Sequence, residues 1–208
     1  RAAKTGYSRA LFSYGWGTIG TCDARNYVLA RDLTNVTYVD TTCKVKTGEL
    51  HDPYSGKMIN FIRGNGTSDD VQIDHVVALG DAWQKGAQQL SPSERYALAN
   101  DPVELLAVDG QTNQDKGDSD AASWLPPNKA FRCDYVARQI AVKYTYHLWV
   151  TAAEYGAMAT VLASCPDQTA PAGVLHRNLL YSRVRPHVPW SLLGTIPLRP
   201  NLSLPAVQ

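Results

Sequence analysis

Two short apolar runs, and the helix signal that follows the second one, constrain the fold of this chain more than any other feature. Residues 71–77 and 105–108 are rich in β-branched and aliphatic side chains, as buried strands are. Between them, residues 91–99 begin with a capping box and predict a helix. Gly110 then predicts a turn, and a further helix can start near residues 112–113. The order strand, helical insertion, strand, turn, helix predicts an α+β fold.

The other segments extend this mixed architecture. Apolar residues at helical spacing predict helices over residues 23–32 and 133–148. A second capping box at Thr151 predicts a helix that runs to about residue 163. Alternating β-branched residues over 36–45 and the turn sequence Asp52-Pro-Tyr-Ser-Gly56 predict strands and a hairpin in this region. We therefore expect additional helices and N-terminal strands around the central pattern.

Length and composition suit one ordinary globular domain. The chain has 208 residues, of which 44% are hydrophobic, and no apolar run approaches the roughly 20 residues that a membrane helix needs. We expect a single domain over residues 1–167. Residues 168–208 hold six of the twelve prolines, four arginines and no acidic residue. This segment is expected to be an extension that packs on the domain or is partly disordered, and the start at Arg1 suggests a processed, mature form.

The four cysteines predict disulfides rather than a zinc site. They form no Cys-x-x-Cys pair, and of the three ways to pair them we favour Cys22 with Cys43 and Cys133 with Cys165, because each bond closes a local loop. Disulfides indicate a secreted, extracellular protein. Four buried free thiols in a cytosolic enzyme are the alternative.

The net charge of +1 argues against a protein whose main task is tight, electrostatically driven binding of nucleic acid. An enzyme that binds, cuts and releases its substrate is less constrained by this balance. No membrane partner is expected, and we expect a monomer.

Four residues near the two predicted strands suit the cutting of a phosphodiester. His75 is a candidate general base, and Asp74 and Asn113 offer the oxygen ligands that Mg²⁺ or Mn²⁺ prefers. Lys116 lies one helical turn after Asn113 and is a candidate phosphate contact. Adjacent strand residues point to opposite faces, so Asp74 and His75 can share a site only if the strand bends or ends there.

Each of these residues also has a structural interpretation. A histidine beside an apolar strand is more often a satisfied core residue than a base. Asn113 and Lys116 can simply form the polar first turn of a helix. Only the combination of these four residues, and no single one of them, favours a catalytic site for phosphodiester cleavage.

At these positions the chain resembles the HNH, or ββα-metal, endonucleases, specifically secreted bacterial members of that family. The resemblance is carried by Ile73-Asp-His-Val-Val-Ala-Leu79, by Leu105-Leu-Ala-Val108, by Thr112-Asn-Gln-Asp-Lys-Gly-Asp118 and by Trp124-Leu-Pro-Pro127. It implies a hairpin and a helix around one divalent ion, with His75 as base and Asp74 and Asn113 as metal ligands. It also implies little sequence preference on DNA, and in some members on RNA.

Three further residues complete the predicted site. Glu104 stands where many relatives have Asn, and it is a candidate for orienting His75. Arg132 and Arg138 are candidate contacts to the nucleic-acid backbone, with solvated helix surface as the simpler interpretation. We expect a divalent-metal-dependent endonuclease. The alternative is a catalytically silent nucleic-acid-binding module on the same fold.

Overall fold

The computed structural model describes residues 1–39 and 41–171, which form a mixed α+β fold. None of the described helices is long and apolar enough to cross a membrane. Within these described ranges the strands are β1 (Thr18–Ile19), β2 (Cys22–Asp23), β3 (Thr34–Tyr38), β4 (Val45–His51), β5 (Met58–Ile62), β6 (Val71–His75) and β7 (Leu105–Asp109). The α-helices of the same ranges are α1 (Ala24–Asp32), α2 (Leu79–Gln84), α3 (Pro92–Ala99), α4 (Gly110–Lys116), α5 (Arg132–Thr145) and α6 (Ala152–Leu162).

The strands form three small antiparallel sheets. β1 pairs with β2, β3–β4–β5 form a three-stranded sheet, and β6 pairs with β7. In the last pair Val71 lies opposite Asp109 and His75 opposite Leu105, so the two predicted strands meet over their whole length. α4 follows β7 directly and contacts both strands. The predicted strand, strand, helix order is therefore present.

The β6–β7 pair is buried on both faces, which explains why β7 is a continuous apolar run rather than an alternating one. Leu105 and Ala107 face a core shared with α1 and the three-stranded sheet. Leu106 and Val108 face a second core that includes Tyr135 of α5. The pair is thus the central layer between these two cores, and side chains at its ends are held by both.

Buried ion pairs join the helices on one side of the molecule. Lys85 and Lys143 lie among Asp81, Asp120 and Glu154, and all five residues are buried. The Lys85 Nζ is 2.8 Å from Asp81 Oδ1, 2.8 Å from Asp120 Oδ2 and 2.5 Å from Glu154 Oε2. Because every charge has a partner of opposite sign, the cluster can be buried without the large cost of an isolated charge.

Helix caps explain most of the helix boundaries. Asp23 caps α1 through the Asn26 amide, and Ser91 forms the predicted capping box with Glu94 at the start of α3. Asp109 caps α4, which therefore begins at Gly110, two residues before the predicted start. A Cβ at Gly110 would overlap the Asp69 carbonyl, so the close approach of these two segments requires glycine.

The predicted strands and hairpin are present: β3 ends at Tyr38, β4 begins at Val45, and β4 pairs with β5 across the turn at residues 52–57. One other predicted boundary is corrected. The predicted helix over residues 133–148 ends at Thr145, and His147 beyond it has a positive φ of 53°.

Both predicted disulfides are confirmed. Cys22 is bonded to Cys43 and Cys133 to Cys165, with Cα–Cα distances of 5.5 Å and 6.4 Å. The alternative with four free thiols is therefore wrong. Beyond Pro171, the predicted extension over residues 168–208 lies outside the described residues. Its boundary with the predicted domain stays a prediction.

Candidate functional site

The side chains of Asp74 and His75 point to opposite faces of β6. Asp74 contacts Tyr54 and Lys116, whereas His75 contacts Trp16 and the Ala99 carbonyl. The strand remains regular through both residues, since both keep their partners on β7. The difficulty anticipated from the alternation of strand side chains is therefore real: the two residues occupy separate environments.

Asp74 accepts two buried hydrogen bonds from side chains. Its Oδ1 accepts from the Lys116 Nζ at 2.9 Å, and its Oδ2 accepts from the Tyr54 hydroxyl at 2.5 Å. Burial raises the pKa of Asp74, while the Lys116 charge and the Tyr54 hydrogen bond oppose that rise. The arrangement is a buried ion pair reinforced by a hydroxyl donor.

Lys116 is also fixed by a second acceptor. Its ammonium group donates to the His75 carbonyl at 2.8 Å, and the residue is only 1% exposed. A phosphate contact, the predicted role of Lys116, is therefore not available in this arrangement. The side chain instead connects the end of α4 to the end of β6, which stabilises the strand, strand, helix unit.

The predicted metal ligands do not fit a divalent ion as they stand. The Asn113 Nδ2 donates to the Gln72 Oε1 at 2.9 Å, which orients the amide but does not use its Oδ1, the atom that a metal would bind. An ion bound at Asp74 would be repelled by the Lys116 ammonium on the same oxygen. Among the described residues no group of three His, Cys, Asp or Glu side chains is placed to hold a metal. A metal here would require Lys116 to move away.

His75 lies in a small pocket of about 130 Å³ on the other face. Its Nε2 is 3.0 Å from the Ala99 carbonyl oxygen, and its ring is parallel to that of Trp16, with an interplanar angle of 8° and a centroid distance of 6.0 Å. A carbonyl oxygen can only accept a hydrogen bond, so Nε2 carries the proton. In the neutral ring, Nδ1 is then left with a free lone pair.

The imidazole is neutral at ordinary pH. Burial lowers the pKa of His75 to about 3, and the positive charge of Arg9 acts in the same direction. A neutral ring has a lone pair that can accept a proton, as a general base must. A base acts best when its pKa lies near the working pH, so burial makes His75 a weaker base than a free imidazole.

Glu104 does not contact the imidazole. Its Oε2 accepts a hydrogen bond from the Val77 amide at 3.0 Å, and its Oε1 has no hydrogen-bond partner among the residues that the structure describes. Burial raises the pKa of Glu104 well above its usual range. The residue therefore anchors the segment after β6, and the predicted effect on His75 has no direct contact to support it.

The two predicted arginine contacts are engaged within the protein. The Arg132 Nε donates to the Pro126 carbonyl at 2.8 Å. Arg138 forms an ion pair with Asp134 at 3.1 Å. Both arginines are only partly exposed, so their observed contacts favour the simpler interpretation, a helix surface held by local bonds.

Three residues at these sites were not singled out from the sequence. Tyr54 stands in a turn and reaches Asp74, while Arg9 and Trp16 come from the N-terminal segment and line the pocket of His75. Tyr54 has a weak sequence signal, because it belongs to a turn motif, Asp52-Pro-Tyr-Ser-Gly56. Arg9 and Trp16 have none, since nothing local connects them to a histidine about 60 residues away.

Comparison with known proteins identifies the family of this chain. Residues 23–161 match the family described as GmrSD restriction endonucleases, C-terminal domain. A protein of the fungus Arthroderma benhamiae, named "Uncharacterized secreted protein", is 42% identical over 165 residues, which cover 78% of this chain and 77% of the fungal one. That relative is fungal, and the bacterial origin that we expected stays a prediction. No solved structure matches the chain. The chain belongs to the family of GmrSD restriction endonuclease C-terminal domains.

Proposed function

We propose that this protein is a secreted endonuclease of the HNH type that hydrolyses DNA with little sequence preference, and that RNA is a second substrate. The family description supports a nuclease-type function and hence a nucleic-acid substrate. The order of β6, β7 and α4 is the one that the HNH resemblance implies. The observation that carries the proposal is His75, a neutral imidazole with a fixed tautomer in a pocket.

In this proposal His75 is the general base. Its Nδ1 accepts a proton from the water that attacks the phosphorus atom, and the ring becomes an imidazolium. As the new P–O bond forms, the P–O bond to the leaving ester oxygen breaks. That oxygen takes a proton from solvent water, and the imidazolium returns its proton to solvent. The Ala99 carbonyl accepts a hydrogen bond from the Nε2–H group before and after this proton transfer. This bond orients the ring and stabilises the positive charge that develops on it. Trp16 limits rotation of the ring by covering its face.

The divalent ion, Mg²⁺ or Mn²⁺, stays a prediction that the observed contacts do not favour. Asp74 and Asn113 have the right chemistry for a hard cation, but both oxygens of Asp74 accept hydrogen bonds, one of them from the Lys116 ammonium. Metal dependence is a separate question for the experiment.

A secreted protein is supported by two observations. Both disulfides join described cysteines, and disulfides persist in oxidising compartments outside the cytosol. The fungal relative is named a secreted protein. We propose the same location for this chain.

The test is digestion of supercoiled plasmid by the wild type and by His75→Ala, each with Mg²⁺ and with EDTA. We expect His75→Ala to cut about 10²- to 10⁴-fold more slowly, the range for losing a general base. His51→Ala is the matched control, because His51 is exposed at the end of β4. It should cut like the wild type.

The circular dichroism spectrum of each variant shows whether a loss of cutting reflects a missing catalytic group or an unfolded protein. Undiminished cutting by folded His75→Ala would overturn the proposed base. A wild-type protein that retards DNA in a gel without shortening it, in any metal condition, would instead support the silent binding module. Loss of cutting in EDTA would support the predicted divalent ion. Binding of that ion at Asp74 would require the Lys116 ammonium to move away from the carboxylate.

A further inference from the structure

One wall of the His75 pocket comes from a segment that the family comparison does not assign. The pocket is lined by Arg9, Ser13, Gly15, Trp16, His75, Leu79 and Ala99. The first four precede residue 23, where the match to the GmrSD C-terminal domain family begins. The N-terminal segment, residues 8–17, is therefore the part of this site whose role is unassigned.

The N-terminal segment is anchored firmly enough to form a binding wall. Phe12 is 2% exposed and packs in the core with Trp83. At the other end, the Gly17 amide donates to the Asn100 Oδ1 at 2.6 Å, and the Gly17 carbonyl accepts from the Ala24 amide at 2.7 Å. The backbone on both sides of the pocket is thus fixed before any ligand binds, which lowers the entropy cost of binding.

Asn100 has a structural role in this anchoring. A Cβ added at Gly17 would lie 2.5 Å from the Tyr96 hydroxyl and 2.7 Å from the Asn100 Cγ, so only glycine can approach α3 this closely. The approach brings the neighbouring Trp16 against His75. The position of the pocket wall therefore depends on a contact over 83 residues of sequence.

Arg9 makes the pocket attractive to an anion. It is the only Lys or Arg among the lining residues, which include no Asp or Glu. Its side chain is exposed, and it makes no hydrogen bond or ion pair with any residue that the structure describes. Ser13 is not a competing donor, because its hydroxyl already donates to the Gly15 carbonyl at 2.5 Å. A guanidinium is suited to two oxygens of one phosphate.

We propose that Arg9 is a substrate-binding residue that holds a phosphate of the nucleic-acid backbone next to His75. The inference rests on the proposed function, whose base is His75, and it adds the cation that the buried Lys116 does not supply. Two of the N–H groups of the guanidinium donate to the two non-bridging oxygens of the phosphate. The wall formed by Ser13, Gly15 and Trp16 confines the phosphate to the side of the pocket where the imidazole lies.

Steady-state cutting of a short labelled duplex tests this role. We expect Arg9→Ala to raise KM about ten- to a hundred-fold, as loss of hydrogen bonds to a charged group would. Arg9→Lys keeps the charge but loses the paired N–H donors of the guanidinium. Its KM should therefore lie between those of the wild type and Arg9→Ala. Lys46→Ala is the control for general charge, because Lys46 is exposed on β4 and does not line the pocket. It should stay within about two-fold of wild type. An unchanged KM in folded Arg9→Ala would overturn the inference.

A second measurement does not depend on cutting. Inorganic phosphate is titrated into the wild type while the ring signals of His75 and the Nε–H signal of Arg9 are followed by NMR. We expect both sets of signals to shift together in the wild type, and the His75 shift to be lost in Arg9→Ala. No response of either group in the wild type would overturn the inference.

Together, the two experiments distinguish a wrong role for Arg9 from a wrong proposed function. If the wild type cuts DNA and Arg9→Ala cuts equally well, the role of Arg9 is wrong and the proposed function stands. If phosphate binds through Arg9 but the wild type cuts nothing, the anion site stands and the proposed function is wrong.

Discussion

Removal of the Lys116 charge should destabilise the protein strongly, and it is the most direct test of the Asp74 environment. In Lys116→Met the side chain keeps much of its volume but loses its ammonium group. Asp74 then keeps only uncharged donors to its carboxylate, the Tyr54 hydroxyl and the His75 amide, in a position that is 5% exposed. Burial of a carboxylate without a counter-charge is the largest penalty available at this site.

The size of the effect follows from the distance. Two unit charges 2.9 Å apart, the separation of the Lys116 Nζ and the Asp74 Oδ1, attract by about 6 kcal/mol at an effective dielectric constant of about 20. Part of this is offset by the cost of burying the ammonium itself. We therefore expect a loss of about 3–5 kcal/mol in the free energy of unfolding, the range for breaking a buried pair. In a protein of this size the melting temperature should fall by about 6–20 °C.

The loss should depend on pH in a defined direction. Without Lys116 the folded-state pKa of Asp74 rises further above its unfolded value, because burial is no longer opposed by a cation. A carboxyl group with a raised folded pKa is stabilising only when protonated, so the variant should lose stability as pH increases. The deficit relative to wild type should therefore be larger at pH 8 than at pH 5.

Urea unfolding followed by circular dichroism measures this deficit. Gln114→Met is the matched control, since Gln114 is exposed on the same helix, and it should change stability by less than about 0.5 kcal/mol. The double variant with Asp74→Asn should recover at least about 1 kcal/mol, because no charge is then left unpaired. A Lys116→Met deficit no larger than that of the control, or one independent of pH, would refute the buried ion pair.

Three further predictions concern His75, the N-terminal segment and a disulfide. Because burial lowers the pKa of His75 from 6.5 to about 3, the free energy of unfolding should fall as pH decreases through that interval, by up to about 5 kcal/mol, and His75→Gln should flatten this slope in urea titrations. Gly17→Ala should cost about 1–3 kcal/mol in thermal melts, since its Cβ would meet side-chain atoms at 2.5 Å, whereas Gly156→Ala, with nothing within 4 Å, should be neutral or stabilising. Replacing Cys133 and Cys165 by serine should lower stability by about 3–4 kcal/mol, because the bond spans 32 residues; a loss below 1 kcal/mol would contradict the loop-entropy argument.

Local signals in the sequence determined most of the regular elements. Ser91 and Glu94 fix the start of α3 because a capping box is made within four residues, and β7 is recognisable because its run of apolar residues needs no distant partner. The disulfide pairs also followed from local loop lengths. The boundaries were less certain, as α4 shows: its first residue depends on the Asp109 cap and on the approach of Asp69 to Gly110.

The sequence also identified His75, but only the tertiary structure decided what surrounds it. Lys116 and Asp74 are 42 residues apart, and no local pattern shows that their charges meet in the interior. The same holds for Arg9 and Trp16, which reach His75 because Gly17 docks on Asn100. Strand alternation predicted that Asp74 and His75 would diverge, yet which face holds an ion pair and which a pocket depends on packing. Local backbone preferences act over a few residues, whereas burial and charge pairing are set by whichever distant segments the fold brings together.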